Sequence, residues 1–484
     1  FSKGKDIAIK PFRPEKPFAT GKFHIGPFDK KAPDSRAKGM LRYVGKRYLQ
    51  FAETGEFFIK GGADTPENFL AYYEFDGTYD TNDNGDILEN GFLHKYPNHL
   101  KDWHQGDPTF KNGKGKAIIG ALNYLAWKGM NSVYFIPYNI DGGDGKDTWP
   151  WMNHTHRLRF DCSKLDQWEI VLSHMDKLGL MLHIILQEEE NAHQLDEGNL
   201  GKQRKLYYRE IIARFSHHLA ILWNLGEEIT NTTEQQMAFA EYIHKIDPYD
   251  HPVILHTYPD NHDEIYTPLL GFEFIEGASL QTDKADKMTK KWIERSTQKG
   301  RAWIVFMDEI ANVEIGVAPD SVDYTHDMPR KEYLWPSLLA GGAGVEWYFG
   351  YSFPDNDIEC EDWRSRDHMW DLTRYAIDFF HKYLPFTEMH SADELTTAAN
   401  DYCFAKPGQI YAIYLPDGGT TELDLGQSSE KFTIKWYNPR EGGNLLDGSI
   451  KTISGPGKKP IGLPPSDNNK DWLALIDLSS LNAD

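Results

Sequence analysis

Leu219-Ala220-Ile221-Leu222-Trp223-Asn224-Leu225-Gly226-Glu227-Glu228 is an apolar run of strand length that ends on two carboxylates. A continuous apolar run without polar alternation is the pattern of a strand buried on both faces, as in a parallel sheet. Carboxylates placed where such a strand emerges carry a desolvation penalty, and places that tolerate it are enriched in chemistry. A second stretch repeats the arrangement: Trp303-Ile304-Val305-Phe306 runs into Met307-Asp308-Glu309. If both strands belong to one parallel barrel, their acidic ends converge on its C-terminal mouth, where barrel enzymes hold their reacting groups.

The same texture continues on either side of these two strings. Strands are predicted at 57–62, 132–139, 180–188, 219–228, 252–258, 277–282, 303–309 and 344–350. Amphipathic stretches at 116–127, 164–178, 204–218, 234–246, 260–270, 284–298, 330–339 and 363–384 fall between and after them. Eight strand–helix repeats predict an α/β chain built on a (β/α)8 TIM barrel over residues 51–385. A doubly wound open sheet would want a Gly-rich phosphate loop after its first strand, and none follows residue 62. Beyond Pro385 the texture changes to short alternating strands at 402–405, 409–415, 420–425, 431–437 and 472–477. Residues 386–484 are therefore expected to form a small C-terminal β-sandwich. Residues 1–50 are rich in Lys and Pro with little periodicity, and are expected to be an extended arm or the remnant of a preceding β-domain.

Bulk properties bound the function. At 484 residues the chain is long enough for two domains or more. Lys plus Arg against Asp plus Glu is 52 − 73 = −21, which excludes a nucleic-acid footprint spread over the surface but not a local basic patch for an anionic polysaccharide. The 14 Trp and 25 Tyr fill a core first, yet sugar rings stack on such faces. Cys162, Cys360 and Cys403 are too few and too scattered for a disulfide framework or a zinc site. No apolar run reaches membrane-spanning length and no signal peptide is visible. A chain opening at Phe1 reads as processed or truncated, so a secreted or periplasmic location is an inference and the oligomeric state is not legible.

Strands four and seven of an eight-stranded barrel stand roughly opposite each other, so Glu228, or its neighbour Glu227, would face Glu309 across the mouth. Two carboxyl groups about 5–5.5 Å apart are the apparatus of a retaining glycosidase, one as acid/base and one as nucleophile. The competing reading makes these acids caps of the helices that follow, since carboxylates favour helix N-termini. Finding both at matching strand ends favours catalysis.

The strings Gly61-Gly-Ala-Asp-Thr-Pro-Glu-Asn68, 223–228, Ala340-Gly-Gly-Ala-Gly-Val-Glu-Trp-Tyr348 and Trp436-Tyr-Asn-Pro-Arg440 carry a resemblance over most of residues 40–480. The chain resembles clan A glycoside hydrolases, and more narrowly a group of bacterial glycosidases related to the apiosidase-like enzymes, whose C-terminal β-domain carries a collagen-binding label. That resemblance implies Glu228 as acid/base and Glu309 as nucleophile. It puts Glu227 where the usual Asn contacts the sugar 2-hydroxyl, and it implies an N-terminal β-sandwich that is truncated here. The expected activity is retaining hydrolysis of a polysaccharide or oligosaccharide. The alternatives are a polysaccharide lyase using a Tyr/His base, or a non-catalytic carbohydrate- or matrix-binding protein.

The remaining strand ends supply a binding shell. Asp64, Glu67 and Asn68 follow strand one, and Tyr138 and Asn139 end strand two. Gln187, Glu188, Glu190, Asn191 and His193 follow strand three; His256 and Tyr258 end strand five; Gln281 ends strand six; Glu346 and Trp347 end strand eight. Of these, Asn68, Asn139, Glu188, Asn191, His256, Tyr258, Gln281 and Trp347, with Glu227, are the predicted sugar contacts. Trp347 is expected as a sugar floor and Tyr258 as a hydrogen-bond donor to the nucleophile. No cofactor or metal is expected. Asp80-Thr-Asn-Asp-Asn-Gly-Asp-Ile87 mimics the start of a calcium loop but has Gly91 where the closing acid belongs, and Asp141-Gly-Gly-Asp144 is weaker still.

Overall fold

The computed structural model describes residues 29–81, 93–140, 146–310 and 314–478. Eight parallel strands close into a barrel: β1 Lys60–Ala63, β2 Ser132–Phe135, β3 Met181–Ile185, β4 Ile221–Asn224, β5 Val253–Thr257, β6 Gly277–Thr282, β7 Ile304–Ile310 and β8 Gly344–Trp347. β8 returns to β1 with Gly344 opposite Lys60 and Trp347 opposite Ala63. The helices alternate with them: α1 Lys116–Trp127, α2 Cys162–Leu178, α3 Lys202–Phe215, α4 Thr233–Ile246, α5 His262–Tyr266, α6 Ala285–Gln298, α7 Trp335–Leu339 and α8 Asp367–Tyr383. Every residue of the eight strands is buried, which is why they read as unbroken apolar runs.

Predicted strands two, three, four, five and eight overshot at their C-terminal ends. The fourth was expected over 219–228 but keeps strand geometry only over Ile221–Asn224. Gly226 breaks it: at φ 154 a Cβ there would lie 2.8 Å from Gln187 Cγ and 2.4 Å from Ile229 Cγ2. Glu228 follows in the left-handed region at φ 50, a conformation that side-chain-bearing residues seldom hold outside strained or functional places. The first acidic string is thus the start of a mouth loop, whereas the second, Met307–Glu309, lies within β7. Before α7 the chain takes one π-helical stretch, Pro329–Leu334.

Residues 29–51 depart from the expected arm. Leu41, Tyr48, Leu49 and Phe51 are buried, and the segment lies across the strand-entry end of the barrel. The Leu41 N–H donates to the Leu219 carbonyl at 2.7 Å and the Tyr43 hydroxyl to the Ala302 carbonyl at 2.6 Å. Arg47 donates to the Phe386 carbonyl at 3.2 Å.

After α8 comes a six-stranded antiparallel sheet built from β9 His390–Ser391, β10 Tyr402–Lys406, β11 Ile410–Leu415, β13 Lys431–Tyr437, β14 Thr452–Ser454 and β16 Trp472–Leu478, in the order β9-β10-β11-β16-β13-β14. Strands β12 Glu422–Asp424 and β15 Lys458–Pro460 pair as a small second sheet. Alternation divides the large sheet's side chains. Cys403, Tyr411, Ile413, Phe432, Ile434, Trp436 and Ile476 fill the sandwich core. Phe404, Tyr414, Tyr437, Leu473 and Leu475 join the barrel's core instead. Tyr414 stacks on Trp335 of α7 at 5.6 Å, and Phe379 of α8 meets Tyr437 at 4.8 Å. The Arg330 guanidinium, before α7, donates to buried Asp471 at 2.8 and 3.1 Å.

Candidate active site

The site rises from a polar floor inside the barrel. The Lys60 ammonium of β1 is fully buried, donating to Asp308 of β7 at 2.5 Å and to Glu346 of β8 at 2.8 Å. Glu346 also accepts from Ser132 of β2 and stands 2.8 Å from His183 of β3. Isolated, each of these charges would be prohibitive to bury; joined across five strands they neutralise and orient one another.

A β-bulge lifts the next layer. β6 and β7 pair in register as far as Leu280–Met307, then slip so that Gln281 faces Glu309. Asp308 is the extra residue. In a regular strand Asp308 and Glu309 would point to opposite faces, but the bulge turns both into the lumen. Asp308 therefore reaches down to Lys60 and Glu309 reaches up into the mouth.

Glu309 accepts from the Gln281 amide at 2.6 Å through Oε1, and its Oε2 lies 3.3 Å from His256 Nε2. His256 Nδ1 lies 3.1 Å from Ser279 Oγ, and Ser279 spends its own proton on Asp308 at 2.6 Å. Ser279 must then accept from Nδ1–H, which makes Nε2 the acceptor nitrogen that faces Glu309. Burial lowers the His256 pKa to about 4, so the ring is neutral. The floor sets the tautomer at the mouth.

From the opposite side β4 delivers Glu227. One carboxylate oxygen each from Glu227 and Glu309, together with a His256 nitrogen, lie within 4.8 Å of one another. Tyr134 and Glu67 are further polar neighbours of Glu227. Burial, then the charges of Glu309 and Glu228, push the Glu227 pKa well above the ordinary carboxylate range. Burial and neighbouring acids do the same to Glu67 and Asp64. Each of these shifts favours the neutral carboxyl, a form that can donate a hydrogen bond.

Glu228 is buried as Glu227 is, but in left-handed backbone and with a different neighbour. Its partner is Tyr258, whose hydroxyl donates to Glu189 at 2.5 Å and is in hydrogen-bond reach of Glu228. The expected Tyr258–Glu309 bond gives way to this pairing. Burial, then these two acids, raise the Tyr258 pKa, so the phenol keeps its proton.

Other expected contacts are spread around this centre. The Asn139 amide donates to Asn68 at 3.2 Å, tying the loops after β1 and β2. Asn191 clamps the Ile140 backbone, accepting its N–H at 3.0 Å and donating to its carbonyl at 2.7 Å. Glu188 is buried at the end of β3. Gln187 turns away to Arg204 and Asn231. Trp347 is not brought to the mouth: its indole N–H donates to Thr373 of α8 at 2.8 Å. Glu346 takes the lumen side of β8, so its neighbour faces the helices. Residues 82–92 and 141–145, covering most of the calcium-like string and all of 141–144, lie outside the described residues.

Sequence reading missed Tyr134, Glu189, Ser279 and Lys60. Period-two parity could have found Tyr134, which shares a strand face with Ser132. Glu189 is hidden in a run of three acids, 188–190.

Two solved structures share this architecture almost end to end. A structure named glycoside hydrolase matches with TM-score 0.67 at 14% identity, covering 93% of this chain and 99% of the other. A glycoside hydrolase family 5 protein from Bacteroides vulgatus matches with TM-score 0.67 at 14% identity, covering 93% and 96%. At that identity the likeness shows the fold. Residues 391–477 match a family model described as "Putative collagen-binding domain of a collagenase". No curated protein matches the chain. Among the described residues no helix is long and apolar enough to cross a membrane.

Proposed function

We propose that the mouth hydrolyses a glycosidic bond with retention of configuration, Glu309 acting as nucleophile and Glu228 as acid/base. The observation that carries this reading is that carboxylates from the ends of β4 and β7 meet across the mouth, Glu227, the neighbour of Glu228, lying within 4.8 Å of Glu309. Retaining pairs stand about 5–5.5 Å apart, whereas inverting pairs leave about 6.5–9.5 Å for a water. The glycosidase names of the two similar structures accord with it.

Glu309 attacks the anomeric carbon while the acid/base gives its proton to the departing oxygen, leaving a glycosyl ester. The same residue, now a carboxylate, takes a proton from water, which displaces Glu309 and releases the sugar. Gln281 holds Glu309 in its attacking orientation. His256 Nε2 is an acceptor beside the nucleophile, suited to a sugar hydroxyl. Asp64, Glu67 and Glu227 crowd the mouth with acids whose pKa values are raised by burial and by one another, a lining that favours a neutral carbohydrate over a polyanion.

Glu228 suits the acid/base because it stands beside the Tyr258 hydroxyl, in left-handed backbone that sets it apart from its neighbour. The approach of Glu227 to within 4.8 Å of Glu309 supports a second reading in which Glu227 is the proton donor. One set of variants separates them. Glu309→Gln should lose turnover while still binding oligosaccharide, and azide should rescue Glu309→Ala as a glycosyl azide of inverted configuration. The acid/base variant should keep its rate only on a dinitrophenyl glycoside, and azide should then give retained configuration. That pattern in Glu227→Ala rather than Glu228→Ala exchanges the two roles. Undiminished turnover by Glu309→Gln on a cleaved glycan would refute the mechanism.

A further inference from the structure

Far from the mouth, at the strand-entry end of the barrel, Glu169, Ser173 and Asp176 lie on one face of α2, at positions i, i+4 and i+7. That face meets His217 and His218 in the turn between α3 and β4. His217 Nε2 is 3.2 Å from Glu169 Oε1, and His218 Nε2 is 3.3 Å from Glu169 Oε2. The three ligand atoms lie within 4.8 Å of one another.

The outer nitrogens are committed elsewhere. His217 Nδ1 lies 2.8 Å from the Arg214 carbonyl, which only accepts, so that nitrogen carries a proton and Nε2 keeps its lone pair in the neutral ring. His218 Nδ1 lies 2.8 Å from Asp176 Oδ2. Ser173 donates to Glu169 Oε1 at 2.7 Å. Imidazoles steadied at one nitrogen by a carboxylate or a carbonyl, with the other nitrogen turned to a shared point, are the usual setting of histidine metal ligands.

We propose that Glu169, His217 and His218 bind a divalent transition-metal ion of the zinc class, with solvent as the fourth ligand. Zinc bonds of about 2.0–2.1 Å in tetrahedral array separate neighbouring ligand atoms by about 3.3–3.4 Å, close to the two contacts above. Two imidazole donors favour zinc, nickel or copper over calcium or magnesium. His218 is buried, but His217 is 50% and Glu169 33% exposed, which leaves an open side for entry and for a water ligand. Bound there, the ion links α2 to the turn that leads into β4, next to the Leu219 carbonyl on which the N-terminal segment is anchored.

The competing arrangement is a His218 cation held between Asp176 and Glu169 with no affinity for metal. Calorimetric titration of the untagged full chain with ZnCl2 at pH 8, paired with thermal melts, separates the two. The proposal expects one zinc bound per chain at micromolar concentration and a melting temperature raised by a few degrees. His217→Ala, which changes a half-exposed ring, should melt as the wild type does without zinc but bind it at least ~10-fold more weakly, and Glu169→Gln should weaken it similarly. Because Glu227, His256 and Glu309 also cluster, Glu309→Gln serves as the control and should bind zinc normally. The proposal falls if the wild type binds no zinc at ~100 µM, where even weak sites fill. It also falls if Glu309→Gln abolishes binding while His217→Ala retains it.

Discussion

Glu309 owes its direction to a single inserted residue, and Gln281, its partner across the bulge, holds it there. Gln281→Ala should leave the fold intact and lower turnover about 10²-fold, the scale of a loss when a reacting group is misplaced by an ångström. Steady-state kinetics on any cleaved glycan would measure it, with KM little changed. This is also where sequence reading reaches its limit. Period-two alternation places Glu346 and Trp347 on opposite faces, so the expected Trp347 floor was excluded by a rule already in hand. The same rule puts Asp308 and Glu309 on opposite faces, and only the bulge, which leaves no mark in composition, brings both inward. Glu227 and Glu228 were legible as an acidic pair; the left-handed turn at Glu228, which gives the two different neighbours, was not.

At the level of elements, eight strands and their helices were readable because a parallel barrel buries both faces of each strand. Their ends were not, since apolar residues such as Leu225 continue into the mouth loops as buried chain. The small strands β9, β14 and β15 escaped because two or three residues carry no period. Helix α4 offers a test of its own docking. His244, in its last turn, stands 2.6 Å from Asp250 and 3.2 Å from Glu276. Burial opposes its charge, yet these acids raise its pKa to about 9 from an ordinary 6.5. A pKa raised on folding stabilises fully below 6.5 and loses that stabilisation as pH climbs through 9. His244→Gln should therefore be less stable than wild type at pH 6, by ~1–3 kcal/mol, and equal to it near pH 10. Urea denaturation at both pH values would check the crossover.

Across the whole molecule, barrel and tail share one core. One face of the six-stranded sheet is spent on α7 and α8, so any partner of the collagen-labelled domain must use another surface. Asp471 accepts from Arg330, from Arg440 at 3.2 Å and from Tyr414 at 2.9 Å, and is buried with Arg330 and Tyr414. Asp471→Ala removes the buried partner of Arg330, leaving it only the half-exposed Asp327 and the Thr325 carbonyl, and should destabilise by ~3 kcal/mol. Differential scanning calorimetry should show one cooperative transition that moves down as a whole; a barrel melting at its wild-type temperature would contradict the shared core. The tail's alternating strands were legible, but which of their faces meets the barrel depends on partners a hundred residues earlier in the chain.

The segment across the strand-entry end has a consequence for birth on the ribosome. Tyr43 waits for Ala302, 259 residues later, and Arg47 for Phe386, 339 residues later. Synthesis at ~5–20 residues per second leaves that stretch without its partners for some tens of seconds. Its buried Leu41, Tyr48, Leu49 and Phe51 are sticky in that interval, so the nascent chain must shelter its upstream end until nearly the entire barrel has emerged.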